Sequence, residues 1–434
     1  MSESDTGPKR RTFLKYAGTA GVAGLSSLAG CAGGGSGGDG SSGGSSGGSG
    51  TTTGGSSGLE SITAGVTTSL SGPFAVFGQA ELDGARLAAQ DLEEELGVSI
   101  DIATGDTEVT PSTGLERIRR LVTDDGIDFS LGGVSSSVAL RMGSWASDNG
   151  VTYMATGAHS DSITGENCAQ YMYRPTASNS MLANTIGTEM ADAADSWFLM
   201  YSDYTWGETA QEAVTGILEE NGKEVVGKTA VSFPSDNYAP PVNEAKASDA
   251  EGIGVLIAGL DMRKALSSII NKSVDDRTLA MHQNEDIVYW GLDKGMASAL
   301  DISGQVWGPA VSGGDSFKQR IAENAETNPS ARHYLGYVSM DQAVRAAVRA
   351  ESTDAEAMRS ALEGHQVSSP VTDIKGGDMY WRECDHQLVQ DTYNVVAKPQ
   401  AEMTSDPYRS WFSVESTFAG DDVARSCEQT GCSL

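Results

Sequence analysis

Two loops carry small residues and hydroxyl groups directly before predicted helices. One loop runs over residues 69–78, and the other, over residues 132–137, contains Ser135, Ser136 and Ser137 in a row. Free backbone N–H groups at a helix N-terminus, together with hydroxyl groups, can hold a carboxylate. The alternative is that the serines only cap the helix, which is the commoner role of this residue type. Both loops are therefore candidate anion sites.

Strands and helices alternate around these loops. In the first run, the apolar periodicity predicts strands at 61–68, 98–103, 127–131 and 151–155, with helices at 80–96, 111–123 and 138–147. A second run has helices at 181–193, 207–221 and 262–271 and strands at 197–201, 224–232, 254–258 and 278–282. Such repeats predict an α/β fold with two doubly wound parallel-sheet lobes joined by a hinge. The ligand site is expected beyond the carboxyl ends of the strands, in the cleft between the lobes.

The charge balance excludes one class of partner. The chain has 434 residues, with 29 Lys and Arg against 59 Asp and Glu, for a net charge of -30. Nucleic acid would be repelled by this charge, so no nucleic-acid partner is expected. Acidic residues spread along the chain favour a halophilic source, with a general solubility bias as the alternative.

The N-terminal region resembles an export and anchoring signal. Arg10 and Arg11 precede Phe-Leu-Lys and a short apolar stretch, which is similar to a twin-arginine (Tat) signal peptide over residues 1–30. The stretch is short and rich in small residues for a transmembrane helix. Small residues before Cys31 resemble a lipoprotein cleavage site, so Cys31 is expected to carry a lipid. The segment 31–58 is predicted to consist of this cysteine and a flexible Gly/Ser-rich linker. A free or disulfide-bonded Cys31 is the alternative. The expected location is the extracellular face of the membrane.

Four cysteines lie in the folded part, at positions 168, 384, 427 and 432. Outside the cell, Cys168, Cys384, Cys427 and Cys432 are compatible with two disulfides, whose three connectivities the sequence leaves open. No CxxC or paired-histidine spacing supports a metal site, and no cofactor is expected.

Several short motifs resemble the branched-chain amino-acid-binding family of type I periplasmic binding proteins, which serve ABC transporters. The resemblance covers most of residues 59–398 and is carried by 70–73, Phe77-Gly78, Gly84-Ala85, 133–137, 155–158, 173–175, 203–207 and 381–387. It implies a binding protein whose two lobes close on a small carboxylate-bearing solute. The residues that it implies for ligand binding are Phe77, Ser135, Ser136, Ser137, Ala158, His159, Asn179, Trp206 and Glu285, with Asp286 as an alternative to Glu285 for an ammonium group.

Two of these positions depart from the family pattern. His159 replaces a small hydroxyl or amide residue, and Asn179 replaces an acidic residue. Without that carboxylate, a buried ammonium would lack a partner, so amides, urea-like solutes and plain carboxylic acids stay open beside amino acids. A surface-loop role for His159 and a core role for Trp206 are the alternatives to ligand contact.

The resemblance also implies a discontinuous domain organisation. Lobe 1 is predicted at 59–178 and 304–366, lobe 2 at 179–303 and 367–398, and a C-terminal tail at 399–434. The expected function is a lipid-anchored solute receptor that works with an ABC permease and ATPase. No catalytic residue is predicted, because GxSxG, HExxH and P-loop motifs are missing from the folded part. A binding protein for urea or short amides, a solute sensor and an exported enzyme are the alternatives.

Overall fold

The fold is described from a computed structural model, over residues 58–274, 276–308, 314–325, 327–405 and 410–434. The predictions on Arg10, Arg11 and Cys31 lie outside these residues. Among the helices that are described, none combines the length and apolar content needed to cross a bilayer.

The described residues begin in lobe 1, with five parallel strands. Their sheet order is β2-β1-β3-β4-β5. The strands are β1 (Ser61–Thr68), β2 (Ser99–Asp106), β3 (Phe129–Gly132), β4 (Thr152–Ala155) and β5 (Met172–Tyr173). The helices between them are α1 (Ala75–Leu96), α2 (Pro111–Arg120) and α3 (Ser136–Asp148). The alternation of strands and helices predicted from the sequence is confirmed, and the largest difference among these elements is the start of α1, at Ala75 and not Ala80.

Lobe 2 follows with a second run of alternating elements. Its helices are α4 (Asn179–Ala193), α5 (Thr205–Glu220), α6 (Ala239–Ala247), α7 (Asp261–Asn271), α8 (Asp286–Tyr289) and α9 (Lys294–Ala297). Its first five strands are β6 (Ser196–Ser202), β7 (Glu224–Val231), β8 (Gly252–Leu256), β9 (Thr278–Met281) and β10 (Ile302–Gln305). These five are mutually parallel, so the carboxyl ends of β6, β8 and β9 share one edge of the sheet.

After β10 the chain returns to lobe 1. The returning elements are α10 (Asp315–Asn324), α11 (Ala331–Ala350), α12 (Ala355–Leu362), α13 (Val371–Lys375), β11 (Tyr380–Trp381) and β12 (Leu388–Val389). Two antiparallel strands, β13 (Thr392–Ala397) and β14 (Phe412–Phe418), then complete the lobe 2 sheet in the order β14-β13-β10-β9-β8-β6-β7. The short helices α14 (Gly420–Val423) and α15 (Cys427–Thr430) come last.

Two of the predicted lobe boundaries are wrong. Residues 367–389 were expected in lobe 2, but Val371, Met379 and Trp381 are buried in the hydrophobic cluster of lobe 1, because these large apolar side chains pack beneath α11. The segment 399–434 was expected to be a tail outside the lobes, but β14 pairs with β13 along the edge of the lobe 2 sheet. The chain therefore rejoins lobe 2 just before Thr392.

Helices α1 and α11 of lobe 1 pack unusually closely. A Cβ atom added at Gly84 would lie 2.0 Å from the carbonyl oxygen of His333, and one added at Gly336 would lie 2.0 Å from that of Glu81. Only glycine permits this approach of the two backbones. The contact brings Glu81 on α1 beside the first turn of α11, which carries Arg332.

Buried side chains fasten the segments that cross between the lobes. The Gln387 amide donates to the carbonyl of Thr176 (2.8 Å), and the Gln390 amide donates to that of Pro175 (2.5 Å). Lys375 Nζ donates to the carbonyls of Val306 (2.5 Å) and Asp391 (2.7 Å). Side chains thus join the crossing after β5, the crossing after β10 and the crossing before β13 into one hinge.

Two disulfides tie the residues after β14 to lobe 1. Cys168 pairs with Cys432, and Cys384 pairs with Cys427. This connectivity is one of the three that the sequence left open. Since β14 belongs to the lobe 2 sheet, the segment after it forms a further link between the lobes beside the hinge.

Candidate functional site: the cleft between the lobes

A cavity lies between the lobes at the carboxyl ends of the parallel strands. It comprises about 400 Å³ of space between atoms, part of it open to solvent. Only about 30 Å³ of this space would admit the centre of a water molecule, so the side chains of the two lobes nearly fill the cleft in this arrangement. Lobe 1 lines it with Phe74, Phe77, Val134, Gly157, His159 and Arg332, and lobe 2 with Tyr204, Trp206, Ile257, Ala258, Gly259, Met281, Gln283, Glu285 and Val288.

Arg332 is the central charged group of the cleft. Its Nη1 donates to the carbonyl of Gly157 (2.8 Å) and to Glu81 Oε1 (3.1 Å), both within lobe 1. Its Nε (2.9 Å) and Nη2 (2.5 Å) donate to the two carboxylate oxygens of Glu285, which belongs to lobe 2. The guanidinium also lies 5.4 Å from the centre of the Phe77 ring. A bidentate, charge-assisted contact of this kind is among the stronger and more directional polar interactions in proteins.

Burial and pairing act in opposite directions on this ion cluster. Burial raises the pKa of Glu81, although Arg332 and a hydrogen bond from the Thr68 hydroxyl (2.6 Å) oppose the rise. Burial alone would lower the pKa of Arg332, but Glu285 and Glu81 outweigh burial and raise it. Arg332 therefore stays charged, and the cluster holds one cation between two carboxyl groups.

A chain of neutral polar groups continues from the ion cluster across the cleft. The Gln283 amide nitrogen lies 2.9 Å from His159 Nε2 and also donates to Glu285, while Trp206 Nε1 donates to Gln283 Oε1 (3.1 Å). His159 Nδ1 lies 2.8 Å from the carbonyl of Ala177, which fits a proton on Nδ1 and an acceptor at Nε2. Burial, and then the nearby Arg332, lower the pKa of His159 well below its usual value. The imidazole is therefore neutral.

Aromatic rings form the apolar walls. Phe74 from lobe 1 stacks on Phe233 from lobe 2 with ring centres 4.8 Å apart, and Tyr204 stacks on both Phe233 (5.4 Å) and Trp206 (6.2 Å). Together with Phe77, these rings belong to one hydrophobic cluster that contains residues of both lobes. The cleft thus combines an ion cluster at one side with a wall of flat apolar surfaces.

Four of the nine residues predicted to bind ligand line this cavity: Phe77, His159, Trp206 and Glu285. His159 is 2% exposed, so it is not a surface-loop histidine. Trp206 is buried in the apolar cluster and also faces the cavity, so its core role is observed and its contact with a ligand remains a prediction.

The other five predicted residues lie elsewhere. Ser136 accepts a hydrogen bond from the Ser160 backbone (3.2 Å), and Ser137 lines a separate surface groove. Ser135 occupies the N-cap position of α3, yet its side chain makes no capping hydrogen bond. Ala158 packs in the core beside α3.

Asn179, the fifth, donates to the Trp206 carbonyl (2.8 Å) and to Thr209 (2.7 Å). It therefore supports Trp206 from behind and does not line the cavity. Asp286, the predicted alternative to Glu285, is fully buried and accepts from the Ala331 backbone across the cleft (3.2 Å).

The charged residues that sequence reasoning missed are Arg332 and Glu81. Both lie on helices, whereas the prediction considered only loops that follow strands. A signal was present for Glu81, because it is a carboxylate on the apolar face of α1, between Ala80 and Leu82. Gln283, Tyr204 and Phe74 were adjacent to predicted residues but were not selected.

The fold and the cleft define a two-lobed α/β binding protein, and comparison with known sequences agrees. A family profile described as periplasmic binding protein matches residues 61–402. The chain belongs to this family.

Individual relatives are distant. The Leu/Ile/Val-binding protein homolog 3 of Brucella melitensis is 24% identical over 202 residues, which cover 45% of this chain and 54% of that protein. The alignment thus spans about half the length of that relative.

Solved structures share the fold over nearly their whole length. A periplasmic binding protein from Burkholderia mallei is 22% identical and covers 86% of this chain and 99% of its own, with a TM-score of 0.80. The leucine-, isoleucine-, valine-, threonine- and alanine-binding protein of Brucella ovis in its closed conformation covers 85% and 98% at 18% identity (TM-score 0.73). A solute-binding protein of Rhodopseudomonas palustris in complex with benzoate covers 86% and 100% at 18% identity (TM-score 0.72).

Proposed function

We propose that this chain is the solute-binding component of an ABC importer, which takes up a small organic solute between its lobes and presents it to a permease and its ATPase. The observation that carries the proposal is the cavity lined by both lobes, where polar and aromatic side chains converge. A site divided in this way lets solute binding stabilise the closed form, because only that form offers all the contacts at once.

The family's periplasmic setting implies a location outside the cytoplasm. Two disulfides in the folded part fit an oxidising compartment. We extend this proposal to Tat export and to lipid attachment at Cys31, which rest on the sequence motifs alone. With a lipid on Cys31 and a Gly/Ser-rich linker, the lobes would remain near the membrane that holds the permease.

The proposed cargo is an amino acid or a related small carboxylate or amide. Relatives described as binding aliphatic amino acids and benzoate both have this fold. In this chain the aromatic walls favour an apolar body on the solute, and Arg332 with Gln283 provides polar contacts at one end.

Thermal unfolding of residues 59–434 in multimolar salt tests the proposal. The panel contains leucine, isoleucine, valine, benzoate, short amides and urea. A solute at a hundredfold excess over its Kd should add about 2.7 kcal/mol to the free energy of unfolding and raise Tm. A rise in Tm with at least one solute is the expected result, and its loss in Trp206→Ala but not in a surface variant such as Glu95→Gln would place binding in the cleft. No rise with any solute would count against a transport role.

A further inference from the structure

Across the cleft, a carboxylate from lobe 2 pairs with the buried guanidinium of lobe 1. Glu285 meets the Nε and Nη2 edge of Arg332 with both oxygens. We propose that Glu285 holds the place of the solute's own carboxylate, and that Arg332 is the residue that selects a carboxylate-bearing solute. This inference rests on the proposed function and names the class of its solute.

Contacts within lobe 1 hold the Nη1 end of the Arg332 guanidinium. Its Nη1 is bound to the Gly157 carbonyl and to Glu81, and the guanidinium lies against the Phe77 ring. A Cβ atom at Gly157 would lie 1.9 Å from Nη1, so the absence of a side chain there makes room for the guanidinium. When lobe 2 moves away, Glu285 leaves with it, and the opposite edge of the guanidinium faces the open cleft. That edge is a rigid two-donor fork whose geometry matches a carboxylate.

Exchanging Glu285 for the solute's carboxylate leaves the Nε and Nη2 edge of Arg332 with one carboxylate partner before and after. Glu285 would keep a partner on its own lobe, because the Gln283 amide donates to it. A solute that carries an ammonium group but no carboxylate cannot take the place of Glu285 on Arg332, and it lacks a comparable place among the described residues that line the cavity. The one carboxylate in the lining, Glu285, is engaged by Arg332, and Asn179 is neutral and turned towards the Trp206 carbonyl. Burying an unpaired ammonium there would be costly.

The remaining wall defines the rest of the solute. Phe77, Trp206, Tyr204 and Met281 line the cavity beside the ion cluster. Such surfaces suit an aliphatic or aromatic body. The solute class is therefore a small monocarboxylate with an apolar or aromatic body, for which an α-ammonium group is not required.

The test compares probes of one shape and different charge. The probes are 4-methylpentanoate, its amide, the amine 4-methylpentylamine, and leucine, with benzoate as an aromatic carboxylate. Affinities are measured by calorimetry on the wild-type chain and on Glu285→Gln. We expect 4-methylpentanoate and benzoate to bind to the wild-type chain. Glu285→Gln should bind both about tenfold more tightly, because the neutral side-chain amide of glutamine competes less well for Arg332 than the carboxylate of Glu285 does.

The matched control is Glu95→Gln. Glu95 on α1 accepts a bidentate contact from Arg345 on α11, from Nη1 (2.9 Å) and Nη2 (2.6 Å), on the outer surface of lobe 1. It should leave every affinity unchanged. Arg332→Lys, which keeps the charge and removes the fork, should weaken carboxylate binding at least about tenfold. Circular dichroism of each variant verifies folding.

The two proposals fail in different ways. If the amine or leucine binds better than 4-methylpentanoate, and Glu285→Gln abolishes that binding, Glu285 is an ammonium acceptor and this inference is wrong while the transport role stands. Binding of the amide alone would have the same meaning. If none of the probes binds, and the wider panel also produces no rise in Tm, both proposals fall.

Discussion

The cleft and the hinge both join the lobes with buried polar side chains, yet they use different partners. In the cleft, side chain meets side chain, as in Arg332 with Glu285 and Gln283 with His159. In the hinge, side chains bind backbone carbonyls, as Gln390 does at Pro175 and Lys375 does at Val306. Because both partners in the hinge belong to the crossing segments or their immediate surroundings, we expect these hydrogen bonds to persist when the lobes separate. A side chain across the cleft is lost on opening and can be replaced by a group of the solute.

Removing the cation from the ion cluster of Arg332, Glu81 and Glu285 should cause a large loss of stability. Arg332→Met should lower the free energy of unfolding by about 3–5 kcal/mol, because it leaves Glu81 and Glu285 buried without a cation. Denaturant titration of the solute-free protein measures the loss. Adding Glu81→Gln and Glu285→Gln to the same chain should restore much of the stability. A loss below about 1 kcal/mol for Arg332→Met alone would show that the cluster contributes no more than a surface pair.

Removing either disulfide should lower the stability of the fold without affecting the cleft. In the chain-entropy view, each should contribute about 2–5 kcal/mol, and Cys168–Cys432, which spans 264 residues, should contribute about 1.6 kcal/mol more than Cys384–Cys427, which spans 43. Denaturant titration of the two Cys→Ser double variants measures this order. Neither pair touches the cavity lining, so solute affinity should stay within about twofold. Equal losses, or a large change in affinity, would contradict this separation of hinge and cleft.

The hinge lysine should respond to alkaline pH. Burial lowers the pKa of Lys375 to about 7, and the charge of Asp391 opposes this only in part. Between pH 7 and the ordinary lysine pKa, the unfolded chain holds a proton that the folded chain has released. Stability therefore rises with pH, on the order of 1 kcal/mol per pH unit. From pH 7 to 10, the stability of the wild type should rise relative to that of Lys375→Met, as measured by the midpoints of denaturant titrations. Parallel pH profiles would exclude this role.

The cleft carboxyl Asp286 should behave in the opposite way and over a smaller range. Burial raises its pKa to about 7, although hydrogen bonds from Tyr289 and the Ala331 backbone oppose the rise. Between the ordinary aspartate pKa and 7, the folded chain keeps a proton that the unfolded chain has lost, so stability falls as pH rises, on the order of 1 kcal/mol per pH unit. Between pH 5 and 7, the stability of Asp286→Asn should therefore rise relative to that of the wild type. A constant difference in Tm over that range would contradict the assignment.

Much of the fold was predictable because local sequence patterns determine many of its strands and helices. Apolar patterns place the strands and helices predicted between residues 61 and 282 close to their observed limits, whereas β5, α6 and the elements after residue 282 were not predicted. The loops after strands also follow from topology. The resemblance to the family then implied Phe77, His159, Trp206 and Glu285, and these four residues line the cavity.

The rest of the site depends on contacts that no local pattern contains. Arg332 and Glu81 are 251 residues apart and meet only because Gly84 and Gly336 let α1 and α11 touch. The return of residues 367–389 to lobe 1 likewise depends on where Trp381 finds a buried place, beside Gln342 on α11, which accepts a hydrogen bond from its indole (3.1 Å). Ser135, Ser136 and Ser137 are the opposite case, because their local sequence suggests an anion site but none of them lines the cavity.

The pairing of Cys168 has a consequence for biosynthesis. Its partner, Cys432, is made 264 residues later, long after β1 to β5 of lobe 1 have been synthesised. Cys384 and Cys427 follow the same order, with the later cysteine in the segment after β14. On a ribosome or in a truncated chain, Cys168 and Cys384 would remain thiols, free to pair with each other or with another molecule. Both disulfides are therefore complete only after synthesis has passed Cys432.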